Sequence, residues 1–173
     1  QRGKKVLLVD LDPQANATAA VGINPLNLEH HVGDLLSLDE VVPMDVIVKT
    51  EHGFDLIPSH VALAKIEIGM QTHDVYALKE LLEPLKTQYD YILVDTPPSE
   101  SNLTASALAF ANEVIIPLQA HYFAMEGLNQ ALDMISKVKR GLNKNIKVAG
   151  ILPTMVNSRT NISKVVIENA KEQ

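Results

Sequence analysis

Short apolar runs alternate along the chain with segments in which apolar residues recur at helical spacing. The runs are bounded by polar residues or proline, a pattern typical of strands that are buried on both faces of a parallel sheet. The predicted strands cover residues 6–9, 54–58, 91–94, 114–117 and 148–152.

Predicted helices lie between these runs. They cover residues 60–69, 74–86, 101–112 and 124–140, and small polar residues at 161–163 can cap a last helix. Strands that alternate with helices indicate βαβ units with right-handed crossovers. We therefore predict an α/β fold in three layers, with a mostly parallel sheet and helices on both faces. Neither a repeat nor a linker divides the sequence, so residues 1–173 are predicted to form a single domain.

Composition excludes several function classes. The chain has no cysteine, which rules out disulfides, zinc–thiolate sites and thiol catalysis. No apolar run approaches the roughly 18 residues of a membrane span, and the run after the basic start is too short for a signal peptide. We therefore expect a cytoplasmic protein.

The net charge of −6 argues against general nucleic-acid binding, which needs clustered cations. DNA contact would have to come from a local basic patch. The candidates lie close together in the sequence and are Lys137, Lys139, Arg140, Lys144 and Lys147. The alternative is that the first three lie in the last turns of a helix, where cations suit the helix dipole.

Polar residues follow the predicted strands, at the edge where ligands bind in parallel α/β sheets. Asp95 ends an apolar strand in the Walker B pattern, in which the carboxylate orients a magnesium ion and its waters. Pro97 and Pro98 then fix the backbone as it leaves the sheet. Asp95 could instead only cap the next turn.

Asp10 and Asp12 form a second acidic pair after the first predicted strand. Alternation along a strand would point both side chains to one side, where they could coordinate a metal or activate a water. Pro13 then stops the strand. The alternative is a polar turn in which Asp12 caps a helix that begins near Ala15.

Taken together, these segments resemble the ParA/Soj partitioning ATPases, a branch of the deviant Walker A class of P-loop NTPases that also contains MinD. The resemblance covers nearly the whole chain, with segments in the family's order and spacing. They are residues 10–18 (DLDPQANAT), 54–59, 89–99 (YDYILVDTPPS), 117–119, 124–128 and 152–160.

The resemblance implies roles for individual residues. Asp12 would position or activate the attacking water, and Asp10 and Asp95 would support Mg²⁺, largely through its waters. Pro97 and Pro98, followed by Ser99, would belong to the switch that senses the γ-phosphate of ATP. The adenine pocket would be formed by Thr154, Met155 and Asn157.

The resemblance also implies an ATP-dependent homodimer that binds DNA non-specifically, acts on the nucleoid and is reset by a ParB/Spo0J-like partner. The expected DNA contacts are Arg159, Lys139, Arg140 and Lys144. The DxDPQ motif together with residues 117–119 is closer to ParA than to MinD, so DNA is favoured over a membrane surface. A MinD-like positioning ATPase and a degenerate, non-catalytic scaffold stay open as alternatives.

The sequence departs from the family in one respect. The family's glycine-rich KGGxGKT loop, whose backbone and lysine hold the phosphates, is not found. Gly3 with Lys4 and Lys5 is no substitute, because it leads into a strand. We therefore expect that a strand, this loop and a helix precede Gln1 in the full-length protein, that the C-terminus is also truncated, and that these 173 residues alone do not hydrolyse ATP.

Other enzyme classes fit less well. The six histidines lack metal-binding spacing and are expected on the surface or in loops. A serine hydrolase would need a G-x-S-x-G turn, which is not present. The order of prolines and strands does not suit a receiver domain.

Overall fold

The computed structural model describes residues 3–37, 40–119, 124–156 and 168. The chain divides into two compact units, Gln1–Phe110 and Ala111–Gln173. Each unit is built from parallel strands and helices, and each is described separately below.

The first unit contains a four-stranded sheet. Its strands are β1 (Val6–Asp10), β2 (Val48–Lys49), β3 (Asp55–Ile57) and β4 (Tyr91–Asp95). They are ordered β2-β3-β1-β4, with β1 parallel to both β3 and β4 and β2 antiparallel to β3. The predicted α/β class with mostly parallel strands is confirmed. The antiparallel strand β2, only two residues long, was not predicted.

The helices of the first unit agree in part with prediction. They are α1 (Asn16–Ala20), α2 (Val32–Ser37), α3 (Pro43–Val46), α4 (Leu63–Gly69), α5 (Ala77–Leu82) and α6 (Asn102–Phe110). The predicted helix 74–86 is a short α5 between two 3-10 turns, Thr72–Tyr76 and Glu83–Thr87. Pro84 lies in the first turn of the second 3-10 segment, and because a proline is not tolerated inside an α-helix, α5 ends just before it. Helices α2 and α3 were missed.

The hydrophobic core lies on one face of this sheet. Leu7 and Val9 of β1 are fully buried there beside Ile57 of β3, and Leu82 and Leu103 pack against them from α5 and α6. Ile92 and Val94 extend the same face onto β4. Burial of these aliphatic side chains, at roughly 25 cal/mol per Å² of apolar surface, is the main term that stabilises the unit.

The opposite face of β4 is open. Tyr91 is 56% exposed and Leu93 is 52% exposed, so the prediction that this strand is buried on both faces is wrong for the described residues. The physical reason is that the described core packs against Ile92 and Val94 on one face of this strand, which leaves Tyr91 and Leu93 on the other face in contact with solvent.

The second unit contains two parallel strands and a helix. They are β5 (Glu113–Gln119), α7 (Ala124–Gly141) and β6 (Lys147–Thr154). Leu128, Ile135 and Val138 form the buried stripe of α7, at the spacing of an amphipathic helix. The predicted strands and helix are confirmed here with slightly longer bounds. The predicted last helix near 161–163 lies outside the described residues, and no helix in the described part is long and apolar enough to cross a membrane.

Candidate functional site

Asp10 and Asp95 end neighbouring parallel strands and are paired in register. The Leu11 N–H donates to the Asp95 carbonyl oxygen at 2.8 Å, which continues the β1–β4 ladder one step beyond the strand ends. Register partners on adjacent strands lie on the same side of a sheet. The two acidic strand ends predicted from the sequence therefore meet at one edge of the first unit.

Asp10 is fully buried, and protein donors surround its carboxylate. Oδ2 accepts hydrogen bonds from the Thr18 N–H at 2.8 Å and from the Thr18 hydroxyl at 2.7 Å. Oδ1 accepts from the Asp12 N–H at 3.2 Å. A buried carboxylate needs such charge-assisted hydrogen bonds to offset its lost hydration. Both oxygens of Asp10 are thus occupied by the loop that follows its own strand.

Asp12 lies beyond the end of β1, in the turn that leads into α1, and is half-buried. Its Oδ1 accepts the Gln14 N–H at 2.9 Å, and its carbonyl oxygen accepts the Ala15 N–H at 2.9 Å. The residue that caps α1 is Ala15, which has a left-handed φ of 53° and provides no side-chain cap. The alternative that Asp12 serves as the helix cap is therefore wrong. Asp12 instead stabilises the tight turn over residues 12–15, which immediately precedes α1.

Asp95 is the most exposed of the three acidic residues, but its carboxyl is crowded at the strand end. Partial burial raises the pKa of Asp95 above its ordinary value, and the charges of Asp10 and Asp12 raise it further. Negative charge is therefore concentrated at this edge. Carboxylate oxygens in such a field are the ligands that Mg²⁺ prefers.

Among the described residues no three acidic or histidine side chains form a complete metal cluster. The arrangement thus fits Mg²⁺ better than a metal held entirely by protein. Magnesium sites typically use one or two carboxylates, several waters and the phosphates of a nucleotide.

The predicted switch segment follows β4 directly. Pro97 is buried, whereas Pro98 and Ser99 are exposed. The Ser99 carbonyl oxygen accepts the Thr104 hydroxyl at 2.8 Å and the Ser101 N–H at 3.0 Å. These bonds tie the segment to the start of α6 and leave its two exposed residues available to a ligand.

In the second unit, the predicted adenine-pocket residues lie at the carboxyl end of β6. Thr154 is the register partner of Gln119, whose amide Nε2 lies 3.2 Å from the Met155 sulfur. Met155 is 81% exposed and has a left-handed φ of 50°. An exposed methionine held in a sparsely populated conformation suits a contact with a flat apolar ring. Asn157 lies outside the described residues.

The basic candidates are partly brought together. Lys139, Lys144 and Lys147 line a shallow depression of about 440 Å³ with Asn112 and Glu113. Lys137 instead forms an ion pair with Asp133, 2.7 Å away on the same helix. Arg140 lies in the last turn of α7 but does not line the depression, and Arg159 lies outside the described residues.

Two residues that contact the acidic site were not predicted. Thr18 and Ser59 are fully buried polar residues beside Asp10 and Asp12. The Ser59 N–H donates to the Thr18 hydroxyl oxygen at 3.0 Å, and the Ser59 hydroxyl donates to the Asp12 carbonyl oxygen at 2.7 Å. The signal in the sequence was their place in segments 10–18 and 54–59, because Ser59 follows the end of β3 and Thr18 lies in the short helix after β1.

The histidines show no metal site in the described part of the chain. His31 and His60 stack with ring centroids 4.7 Å apart. Each accepts a backbone N–H on Nδ1 at 3.1 Å, from Gly33 and Ala62 respectively. These two rings therefore organise loops rather than bind a metal.

Comparison with known proteins defines the class. The AAA domain family (AAA_31) matches residues 1–148, so the chain belongs to the AAA domain proteins of this family. The sporulation initiation inhibitor protein Soj of Bacillus subtilis is 42% identical over 98% of this chain and 68% of its own length. The chromosome partitioning protein ParA of Myxococcus xanthus is 40% identical over 97% of this chain and 60% of its own length. The chain is a member of the ParA/Soj family, and it spans about two thirds of the length of these relatives.

Solved structures agree with this assignment. A Mycobacterium smegmatis protein named cobyrinic acid a,c-diamide synthase, solved with an ATP analogue and magnesium, superposes with a TM-score of 0.92. It is 38% identical, and the match covers 99% of this chain and 71% of that one. The same protein has been solved with ADP and magnesium. This structural neighbour was therefore solved with an adenine nucleotide and with magnesium, the metal that Asp10 and Asp95 are predicted to support.

Proposed function

We propose that this chain carries the hydrolytic centre of an ATP-driven partitioning switch that acts on DNA. The proposal rests on one observation, the meeting of Asp10, Asp12 and Asp95 at the adjoining ends of β1 and β4. Ligands of parallel α/β sheets bind at this edge. The similarity to Soj and ParA supports partitioning as the process that the switch serves.

Bound MgATP would supply the phosphate bond that is cleaved and the metal that neutralises developing charge. Asp95, the exposed carboxylate, would accept hydrogen bonds from the metal's waters. Asp12, which is half-buried and fixed by its own turn, would position the attacking water. Asp10 would support the metal through its negative charge, because both its oxygens are occupied by protein donors.

The remaining contacts follow from the predicted roles. Pro97 and Pro98 give the switch after β4 a restricted backbone beside the γ-phosphate. We propose Thr154, Met155 and Asn157 as the residues that would contact the adenine base, as the resemblance to the family implies.

DNA is bound by the surface that holds Lys139 and Lys144, and Arg140 and Arg159 are the further proposed contacts. Because the protein is acidic overall, its contact with DNA has to come from a local basic patch. Lysines that line one depression can neutralise neighbouring phosphates of DNA in this way. The protein acts as an ATP-dependent homodimer on the nucleoid in the cytoplasm, and a ParB/Spo0J-like protein stimulates its hydrolysis.

The open face of β4 supports a further element of this assembly. Tyr91 and Leu93 are apolar side chains that a packed sheet would cover. We propose that a strand–loop–helix segment with the glycine-rich phosphate loop packs here in the full-length protein. Sequencing of the gene upstream of Gln1 tests this directly, because a KGGxGKT-type loop is expected there.

The decisive experiment is nucleotide-dependent co-sedimentation of the full-length protein with DNA, alongside ATP turnover. The Asp12→Ala variant should still bind ATP, hydrolyse it at only a small residual rate and stay on DNA longer than the wild type. Glu80→Ala, which removes an exposed carboxylate from α5, serves as the control and should behave as the wild type.

A non-catalytic scaffold is the second candidate, favoured by the lack of a glycine-rich loop in these residues. Undiminished DNA binding without any ATP turnover in the wild type would support the scaffold and overturn the proposed switch.

A further inference from the structure

Thr18 and Ser59 connect three elements of the first unit through buried hydrogen bonds. The Thr18 hydroxyl donates to Asp10 Oδ2 at 2.7 Å and accepts the Ser59 N–H at 3.0 Å. The Ser59 hydroxyl donates to the Asp12 carbonyl oxygen at 2.7 Å. We call this chain of bonds the Thr18–Ser59 relay. Neither residue is exposed at all, so water does not compete for these bonds.

The relay fixes the backbone of Asp12 from outside its own turn. Ser59 follows β3, 47 residues along the chain, and therefore anchors Asp12 to a different strand. The preceding residue, Pro58, is also fixed, because its carbonyl oxygen accepts a hydrogen bond from the Val32 N–H at 2.8 Å. A serine attached to the sheet in this way is a rigid reference point for the turn.

The turn needs such an anchor because its own conformation is unfavourable. Ala15, three residues after Asp12, adopts the left-handed region that non-glycine residues rarely occupy. The Ala15 N–H and the Ser59 hydroxyl donate to the same Asp12 carbonyl oxygen. Removal of the Ser59 hydroxyl would leave the Asp12 carbonyl oxygen with only the bond from the Ala15 N–H, which lies within the strained turn.

We propose that Ser59 is a positioning residue for Asp12, acting with Thr18 and the buried Asp10 carboxylate. Ser59 and Thr18 contact neither nucleotide nor metal in this scheme, and they act on the rate only by holding the Asp12 carboxylate in place. The proposal rests on the hydrolytic role of Asp12 given above. Displacement of a catalytic group by about 1 Å can cost on the order of 100-fold in rate, so the effect should be measurable.

The test is ATP hydrolysis and ATP binding by the full-length protein. Ser59→Ala should lower kcat by roughly 10-fold or more, with the dissociation constant of ATP within about 2-fold of the wild type. Thr18→Val removes the relay hydroxyl in an isosteric side chain and should have the same effect. Thr18→Ser is the matched control, because it keeps the hydroxyl and should keep most of the rate.

A mutant cycle separates positioning from a general loss of structure. In an Asp12→Ala background, Ser59→Ala should cause no further loss of the residual rate, because the two residues act as one unit. Additive losses, or an unchanged kcat in Ser59→Ala, would overturn the role of Ser59. If Ser59→Ala does not fold, the two Thr18 variants test the proposal. A kcat in Thr18→Val that equals that of Thr18→Ser would then overturn the positioning role. A normal rate in Asp12→Ala alone would instead overturn the proposed function itself.

Discussion

The hydroxyl of Tyr89 donates a hydrogen bond of 2.7 Å to Oδ2 of Asp55, at the start of β3. Lys49 of the antiparallel strand β2 is paired with the same oxygen. This cluster lies at the opposite strand ends from Asp10 and Asp95, because β1, β3 and β4 are parallel. It therefore holds the sheet together without taking part in the acidic site.

Tyr89→Phe should destabilise the protein by about 1–2 kcal/mol, the usual cost of losing a buried hydrogen bond to a charged acceptor that keeps another partner. Denaturant unfolding measures the change, and ATP turnover should be unaffected because the cluster is remote from the acidic site. An unchanged stability would contradict the importance of this bond.

The same cluster predicts two pH windows for stability. Burial and the bond to Asp55 raise the pKa of Tyr89 to about 12, so its contribution is complete below about pH 10 and is lost as pH rises from there towards 12. Burial opposes the charge of Asp55, but Lys49 and Tyr89 outweigh it and lower its pKa. The contribution of the Asp55 charge to stability is complete above about pH 4 and is lost as pH falls through the lowered pKa of Asp55.

The free energy of unfolding of the wild type and of Tyr89→Phe, measured across both pH ranges, checks the direction of each change. The loss of stability at alkaline pH should be smaller in the variant.

Asp95→Asn should separate stability from ligand binding. The raised pKa of Asp95 means that its charged form is disfavoured in the folded state, so at neutral pH removal of the charge should stabilise the Mg²⁺-free protein slightly. Because the residue is exposed, we expect less than about 1 kcal/mol. With ATP and Mg²⁺ the order should reverse, since only the wild type gains stability from the bound metal. Melting temperatures with and without MgATP measure both effects. If MgATP stabilises Asp95→Asn as strongly as it stabilises the wild type, the role of Asp95 is contradicted.

Ala15 offers a test of the strained turn. Ala15→Gly relieves a left-handed alanine, which is worth about 1 kcal/mol, but removes a buried methyl group worth about 0.8 kcal/mol. The two terms offset, so stability should stay within about 0.5 kcal/mol of the wild type. Ala15→Val places a β-branched residue at positive φ and should cost about 2 kcal/mol or more. Thermal unfolding of the two variants checks the contrast, and equal stabilities would show that the turn is not constrained as described.

Removal of two lysines should weaken DNA binding uniformly across sequences. The double variant Lys139→Ala and Lys144→Ala should reduce the slope of log binding constant against log salt concentration by roughly one unit per lysine. Lys65→Ala, an exposed lysine on α4, is the control and should leave the slope unchanged. Binding isotherms at several salt concentrations measure the slopes, and a slope unaffected by the double change would place the DNA surface elsewhere.

Much of this fold could be predicted because most of its strands correspond to short apolar runs in the sequence. Apolar runs ending in Asp10 and Asp95 indicated both the strands and the edge at which they meet. Strand β2 has only two residues, and α2 and α3 are too short to show a period. For α3, Pro43 in the first turn and the Asp45 carboxylate on the Val42 N–H were available signals that were missed.

The parts of the site that could not be predicted depend on contacts distant in sequence. Ser59 lies 41 residues from Thr18, and no local pattern indicates that the two residues bond. The exposure of Asp95 and the burial of Asp10 are likewise set by which elements cover each strand. Residue type identified the acidic group, but only the fold showed that one carboxylate is enclosed while the other is open.

The most direct test of the acidic centre is a structure of the full-length protein with Mg²⁺ and a non-hydrolysable ATP analogue. We predict that waters of the metal lie about 3 Å from the Asp95 carboxylate. Asp12 should face the γ-phosphate, and Asp10 should keep its bonds to Thr18. A metal and nucleotide bound away from the ends of β1 and β4 would contradict this prediction.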